Sequence, residues 1–529
     1  MKLKLAAAAV LAGATVVAAH AGEVSELKKE TRALRKHNHA LEQKLKRIER
    51  RQRVAEERSA ARREPAPIMA GPIHKGPLEF LTDDGPITWH GITLYGALDA
   101  GVSYLAHGNA PNPYAGWSNS LITKASGNPR FTTAPNGLSF SNIGLKGDIP
   151  IMSGLSGVFN INTAFNPMSG QIVDGLGSMV KNNGLPLYYQ NTNGDSSRAG
   201  QPLNTLYYAG LSSPVFGTLT FGRQNTLTLD TIIGYDPTGA ALDFSPLGFS
   251  GVAAGAGYTE DARLDNTIKY RFAYGPLHAA AMYKFGSNGM TDPHDAYQLN
   301  LGFEYMGFAM DAVYSRINGA VAAAPLSLAQ LNGVTVAGAP TYTAMSFYGT
   351  PIGTYNTLAG IASDNRAFML GARYTFNQFQ FFGGYENIRY SNPGNPLGAG
   401  YTTIGGYTLS YMNNNAYTQG KSLQIMWAGA KYAFNPQFDV TLSYYHYIQG
   451  AYYTPFNKAS MPTTGCAGTY AAGTCAGTLD AVSLYADYRF TKRFDVYAGM
   501  MYSKVSNGLA SGYLHTYNYN PTLGVRYQF

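Results

Sequence analysis

Val482-Ser483-Leu484-Tyr485-Ala486-Asp487-Tyr488-Arg489-Phe490, then Thr491-Lys492-Arg493, then a second extended run from 494 to 505, decides the fold class of this chain. Apolar residues hold the even positions of the first run, and its charges, Asp487 and Arg489, hold odd ones. Side chains of a strand point alternately to two faces, so a period of two builds one greasy face and one wet face. The pattern recurs. Leu301, Phe303 and Tyr305 share a face, and Ile268, Tyr270 and Phe272 oppose Lys269 and Arg271. Alternation alone also suits a soluble sandwich, so the connections have to separate the two.

Sixteen strands are expected, near 91–105, 137–148, 154–165, 204–213, 216–224, 263–274, 276–286, 295–306, 307–316, 365–376, 378–390, 421–434, 437–449, 479–490, 494–505 and 517–529. Their links alternate in kind. Tight turns such as Gly275-Pro276, Met306-Gly307, Asn377-Gln378 and Asn435-Pro436-Gln437 join even strands to odd ones. Long Gly/Asn/Pro/Ser-rich stretches, among them 106–136, 166–203, 225–262, 317–364, 391–420 and 450–478, join odd to even. Short turns at one end, long loops at the other and an even strand number are the pattern of an outer-membrane barrel. Aromatics gather at the short-turn ends, at Tyr374, Phe376, Phe379, Phe381, Tyr432, Phe434, Tyr488, Phe490 and Phe494. In water they would be sticky patches; at a bilayer surface they form a girdle. The last strand alternates to its end, with Leu523, Val525, Tyr527 and Phe529 on one face. The expected fold is all-β, a sixteen-stranded antiparallel transmembrane β-barrel spanning 89–529.

Composition agrees. The chain has 40 Tyr, 25 Phe and 61 Gly, with only 13% charged residues. Beyond the N-terminus, no stretch approaches the ~20 apolar residues of a membrane helix. At the start, Lys2 and Lys4, the apolar run Leu5 to Val17 and Ala19-His20-Ala21 read as a secretory signal peptide over 1–21. Residues 22–63 read as a short α-helical coiled coil. Leu27, Leu34, Leu41, Ile48 and Ala55 fall at d of one heptad frame, and Val24, Thr31, Asn38, Leu45 and Gln52 at a. Residues 64–88 are a Pro/Gly-rich linker. The net charge of +8 is localised: from Glu23 to Glu64 fourteen Lys/Arg face eight Glu, whereas from Pro65 to Phe529 23 basic residues balance 23 acidic ones. For an exported chain the expected partner of that basic segment is peptidoglycan or another anionic envelope polymer, not nucleic acid. Cys466 and Cys475, close together in a Gly/Thr/Ala-rich stretch, are expected to form a local disulfide. No metal-ligand spacing, P-loop or G-x-S-x-G is present, so neither an enzyme nor a cofactor is expected.

After Trp89 the chain resembles the Gram-negative general porins. Residues Gly91-Ile92-Thr93-Leu94-Tyr95-Gly96-Ala97-Leu98-Asp99-Ala100-Gly101-Val102 are similar to that family's first strand, and Ile143-Gly144-Leu145-Lys146-Gly147 to its second. Tyr208 to Ser213 with Phe216 to Gln224 resembles the approach to the pore loop, Arg263 to Tyr270 the strand after it, and the Phe529 ending the assembly signal. The resemblance implies a homotrimer in the Gram-negative outer membrane, among lipid and lipopolysaccharide, with its N-terminal segment in the periplasm. It also implies a third loop folded into the barrel, here about Thr226 to Asp261 with Asp230, Asp236, Asp243, Glu260 and Asp261. Basic residues on the opposite wall would then set a transverse field.

The resemblance points to Arg223 and Arg263 at the pore constriction, strand parity puts Lys269 and Arg271 on the pore face beside them, and Asp99 on the first strand is a further candidate there. Alternation alone would turn Arg223 outward with Leu219 and Phe221. The wall departs from the family pattern at Asn142 and Thr205, where arginine is common, and at Asn162, a frequent acidic position. Weaker anion preference than the resemblance implies is therefore expected, with a tilt toward cations. The expected function is passive diffusion of small hydrophilic solutes and ions. The alternatives are a substrate-selective channel on the same barrel and a tether to the cell wall through the coiled coil.

Overall fold

Inside a bilayer no water is available to main-chain amides, so a spanning sheet has to close on itself. The computed structural model shows that closure. It describes residues 86–108, 120–122, 126–173, 202–250, 263–286, 295–323, 360–391, 403–404, 407–408, 420–451, 476–510 and 513–529. The signal peptide, the coiled coil, the linker up to 85, Glu260, Asp261, Cys466 and Cys475 lie outside the described residues.

Sixteen strands form the barrel: β1 Ile92–Leu105, β2 Ser141–Met152, β3 Leu155–Phe165, β4 Leu206–Ser213, β5 Gly217–Asn225, β6 Arg263–Tyr274, β7 Leu277–Lys284, β8 Ala296–Tyr305, β9 Phe308–Ala323, β10 Gly360–Phe376, β11 Phe379–Ser391, β12 Lys421–Ala433, β13 Phe438–Gln449, β14 Gly477–Arg489, β15 Phe494–Asn507 and β16 Thr522–Gln528. Each pairs antiparallel with the next, and β1 closes on β16 from Ala97↔Gln528 to Ser103↔Thr522.

Three boundaries differ from the sequence expectation, each for a local reason. The second strand is split: Arg130–Pro135 pairs with the far half of β1, and Asn136, at φ 62°, turns the chain before β2 resumes against the near half. The last strand is split at Asn520-Pro521, where proline has no N–H to give the ladder. The Pro521 carbonyl still accepts from Tyr104 N at 3.0 Å, and Tyr517–Tyr519 continues alongside β15. Finally, β9 and β10 run further than their alternation, past a register shift between Ile317 and Ala320. At the opposite end, Met306 and Gly307 (φ 51° and 84°) both take positive φ, the conformation of a two-residue hairpin turn that matches strand twist.

The faces follow the alternation. On β14, Ala481, Ser483, Tyr485 and Asp487 are buried while Val482, Leu484 and Tyr488 are exposed. Greasy residues on the outside and polar ones within are the reverse of a soluble core, as hydrocarbon outside and water inside require. The outward aromatics pack against one another around the short-turn rim, through Phe379–Tyr432, Tyr432–Phe434, Phe434–Phe438 and Tyr488–Phe490.

Between β5 and β6 the sequence pattern suggests only a loop, but the structure has a helix, α1 (Leu227–Tyr235). Thr226 caps it by accepting from Leu229 N at 3.0 Å, and Asp230 lies in its first turn, where the helix dipole favours a negative charge. Residues 226–250 lie against the inner faces of the strands. Gln298 on β8 accepts from Leu227 N (2.6 Å), Trp427 on β12 donates to the Tyr235 carbonyl (3.0 Å), and Tyr445 on β13 donates to Asp236 (2.7 Å). Two glycines on the wall make room for this segment. A Cβ on Gly371 would come within 2.8 Å of the Tyr235 side chain, and one on Gly429 within 2.5 Å of Pro237.

Candidate functional site: the neck of the barrel

The segment 226–250 leaves a cavity of about 340 Å³ between itself and the strands opposite. From the loop side it is lined by Leu229, Ile233, Ala240, Leu242 and Phe249, which are apolar. The wall contributes Tyr95 from β1, Asn142 from β2, Asn162 from β3, Thr205 just before β4, Leu206 at its start, and Arg263 from the start of β6. Among the described residues, Arg263 is the one charged residue on this lining.

The polar wall residues are bonded to one another. Asn162 Nδ2 donates to Asn142 Oδ1 at 2.8 Å, and Thr205 Oγ1 donates to the Asn162 carbonyl at 2.7 Å and bonds its side-chain oxygen. Beside them the Tyr95 hydroxyl donates to Asn160 Oδ1 at 2.5 Å. The three positions where the sequence departs from the family's charged pattern are therefore one neutral amide–hydroxyl chain. Such a row is self-satisfied, since each donor has an acceptor beside it.

Most of the charges named from sequence sit elsewhere. Asp230 is paired on its own side of the barrel, with Lys269 at 3.0 Å and with Arg271. Arg223 is buried, donating to the Asn204 carbonyl and pairing with Asp265 at 2.5 Å. A β-bulge between Gly222 and Gln224 puts it there: the register shift breaks alternation, so Arg223 and Gln224 are both buried while Phe221 stays exposed. Asp236 is buried and accepts from Tyr445, Thr238 Oγ1 (2.8 Å) and Ala240 N (2.9 Å). Burial pushes its carboxyl above the usual carboxylate range, and those hydrogen bonds pull it back only in part. Asp243 is also buried; Ser120 donates to its side chain and Asn520 to its main-chain carbonyl. Asp99 accepts from Tyr497 (2.6 Å) and from Leu138 N and Ser139 N (both 2.9 Å), which fastens the turn before β2.

Of the ten charges named from sequence, eight are described, and among those eight Arg263 alone borders the cavity. The apolar half of its lining was not legible, because alternation assigns faces to strand residues and says nothing of a helix laid across the lumen. The Thr226 cap before Leu227-Thr228-Leu229 is the one sequence signal that could have located α1.

The sequence model of the Gram-negative porin family matches residues 82–508. An outer membrane porin protein of Bordetella pertussis is 25% identical over 219 residues, which is 40% of this chain and 46% of that protein. The chain thus spans under half the length of that relative. Among solved structures, the anion-selective porin from Comamonas acidovorans is 16% identical and superposes with a TM-score of 0.50, covering 83% of this chain and 99% of that one. OmpF of Salmonella typhi, solved with daunomycin, is 16% identical with a TM-score of 0.46, over 84% and 100% of the two chains. At 16% identity the likeness to the Comamonas acidovorans porin is one of fold alone.

Proposed function

This chain belongs to the Gram-negative porin family, and on that footing we propose that it forms a water-filled channel of the outer membrane through which small hydrophilic solutes and ions diffuse passively. The observation that carries the reading is a closed barrel with residues 226–250 laid against its inner wall, leaving a cavity with a neutral hydrogen-bonded wall and, among the described residues, one lining arginine. Such a wall offers water-like partners to a hydrated solute without holding it. Arg263 favours anions weakly, while Asp230, Asp236 and Asp243 are occupied by their partners. The contribution of Arg263 to anion preference falls as salt screens it, over roughly 8–10 Å at ordinary ionic strength. Single-channel recording in a salt gradient tests this. A reversal potential indicating strong cation preference would sink the assignment of the neck to Arg263.

The proposal includes a homotrimer within lipid and lipopolysaccharide, and a periplasmic coiled coil over 22–63 whose basic charge binds peptidoglycan or another anionic envelope polymer. Deleting 22–60 should leave conductance nearly unchanged while cutting co-purification with the cell wall. A truncated protein that binds cell wall as before removes the tether role.

A second reading, a substrate-selective channel, is favoured by the apolar side of the neck at Leu229, Ile233, Leu242 and Phe249. Solutes with one apolar flank and one polar or anionic edge would fit both sides. Saturable block of ion current by such a solute distinguishes this reading from free diffusion.

A further inference from the structure

Away from the pore, the outer surface carries three arginines in one cross-strand row. Arg316 on β9 is paired in register with Arg366 on β10, and Arg366 with Arg389 on β11. All three lie on the outward face, in step with exposed Tyr314 and Phe368 one pleat away. Arg366 and Arg389 are exposed, and Arg316 is partly covered, its Nε donating to Asn318 Oδ1 at 3.1 Å. Among the described residues no carboxylate forms an ion pair with any of the three. Asp364 is one pleat further along the same face of β10, opposite Ser391.

Side chains directly opposite on neighbouring strands have Cβ atoms about 4.5–5.5 Å apart, and like charges there repel. The next outward charged row shows the usual remedy. On β13 to β15, His446, Asp480 and Lys504 are in register, and the central carboxylate accepts from His446 at 2.7 Å and from Tyr444 at 2.7 Å. The arginine row has no such central anion.

Its height says what could supply one. Arg366 is ten residues along β10 from Phe376 in the aromatic girdle, which is roughly 33 Å of strand. At a tilt of about 40° this is about 25 Å of height, the thickness of the apolar band of such barrels. The row therefore stands at the opposite membrane surface, on the side from which the long connections after β9 and β11 depart. Directly below it, Phe368 and Tyr314 face hydrocarbon.

We propose that Arg316, Arg366 and Arg389 form a binding site for the phosphate groups of an outer-leaflet glycolipid, whose acyl chains lie over Phe368 and Tyr314. A guanidinium offers a planar fork of donors that matches phosphate oxygens two at a time, and three adjacent forks suit a headgroup with more than one phosphate. The bound anion would replace the missing counter-charge of the row. The inference rests on the outer-membrane reading of the barrel and adds a site outside the channel.

The test uses the full-length protein in detergent, titrated with bisphosphorylated lipid A and with the same lipid stripped of phosphate. Wild type should bind the phosphorylated lipid at least about tenfold more tightly, and the R316Q/R366Q/R389Q variant should lose that preference. Lys504→Gln, on the neutralised row, should keep it. Equal binding of both lipids by wild type, or an undiminished preference in the triple variant, overturns the proposal. So does competition by millimolar inorganic phosphate that matches the lipid, because the site would then take free phosphate. Channel conductance is read in parallel. A triple variant that conducts normally yet keeps its lipid preference removes this inference alone, whereas a wild type that forms no channel removes the porin reading. If the triple variant fails to fold, Arg366→Gln at the centre of the row takes its place and should weaken the preference by itself.

Discussion

Tyr445 and Asp236 are 209 residues apart in sequence, and a 2.7 Å hydrogen bond from the tyrosine hydroxyl to the carboxyl joins them. One belongs to the barrel wall and the other follows α1, so this bond is a fastening between the wall and the segment that narrows the pore. On the strand next to that of Tyr445, the Trp427 indole donates to the Tyr235 carbonyl of α1 and is a second.

Tyr445→Phe is expected to leave the barrel intact and loosen the neck, at a cost of about 1 kcal/mol or somewhat more for a buried acceptor deprived of its donor. Open-channel current should become noisier, with frequent brief transitions. Asp236→Asn should be milder, because the amide keeps an acceptor oxygen. Wild-type current noise in Tyr445→Phe would show that this bond does not hold the segment.

Acid should not release the neck. Burial raises the Asp236 carboxyl above its ordinary value, so the folded chain binds that proton more tightly than the unfolded one. Stability linked to this group is therefore present below the unfolded value and is lost as pH rises through the raised folded one. Channel noise should fall, not rise, as the pH is lowered through the raised value towards the ordinary carboxylate range, and Asp236→Asn should remove the difference. A neck that loosens on acidification in wild type, but not in Asp236→Asn, would reverse the expected direction and refute this linkage.

Arg263→Gln should shift the reversal potential toward cations at low salt and much less at high salt, since a charge in an open lumen is screened within about a Debye length. Among the described residues it is the charge on the lining of the neck. An unchanged potential at low salt would mean that ions select elsewhere in the channel.

The reverse substitution tests the neutral wall. Asn142→Arg or Thr205→Arg breaks the Asn142–Asn162–Thr205 chain and adds a second positive charge beside Arg263. Anion preference should rise and conductance fall as the neck narrows. Both effects together are expected, and a gain in neither would place these residues outside the ion path.

The expected Cys466–Cys475 bridge is settled by mass spectrometry of a non-reduced digest, in which the linked peptide should appear. Two free thiols in protein taken from the envelope would refute it.

Sequence alone determined the sixteen strands, their antiparallel order and which face of each meets lipid. Those properties are local: a period of two and the length of each connection specify them, and the bilayer punishes any other arrangement of the same residues. Asn142, Asn162 and Thr205 stood out for the same reason, as substitutions at positions a strand pattern can locate. What only the tertiary structure decided was the fate of the charges. Arg223 turned inward because a bulge at Gly222 interrupts alternation, and Asp236 and Asp243 became buried acceptors because α1 lays its following residues against the wall. The arginine row across β9 to β11 is likewise invisible in the chain, where its members stand 50 and 23 residues apart and meet only through strand register. Whether a charge faces solute, pairs or binds a lipid depends on partners brought from distant sequence, because electrostatic energy depends on distance in space and on burial, and periodicity records neither.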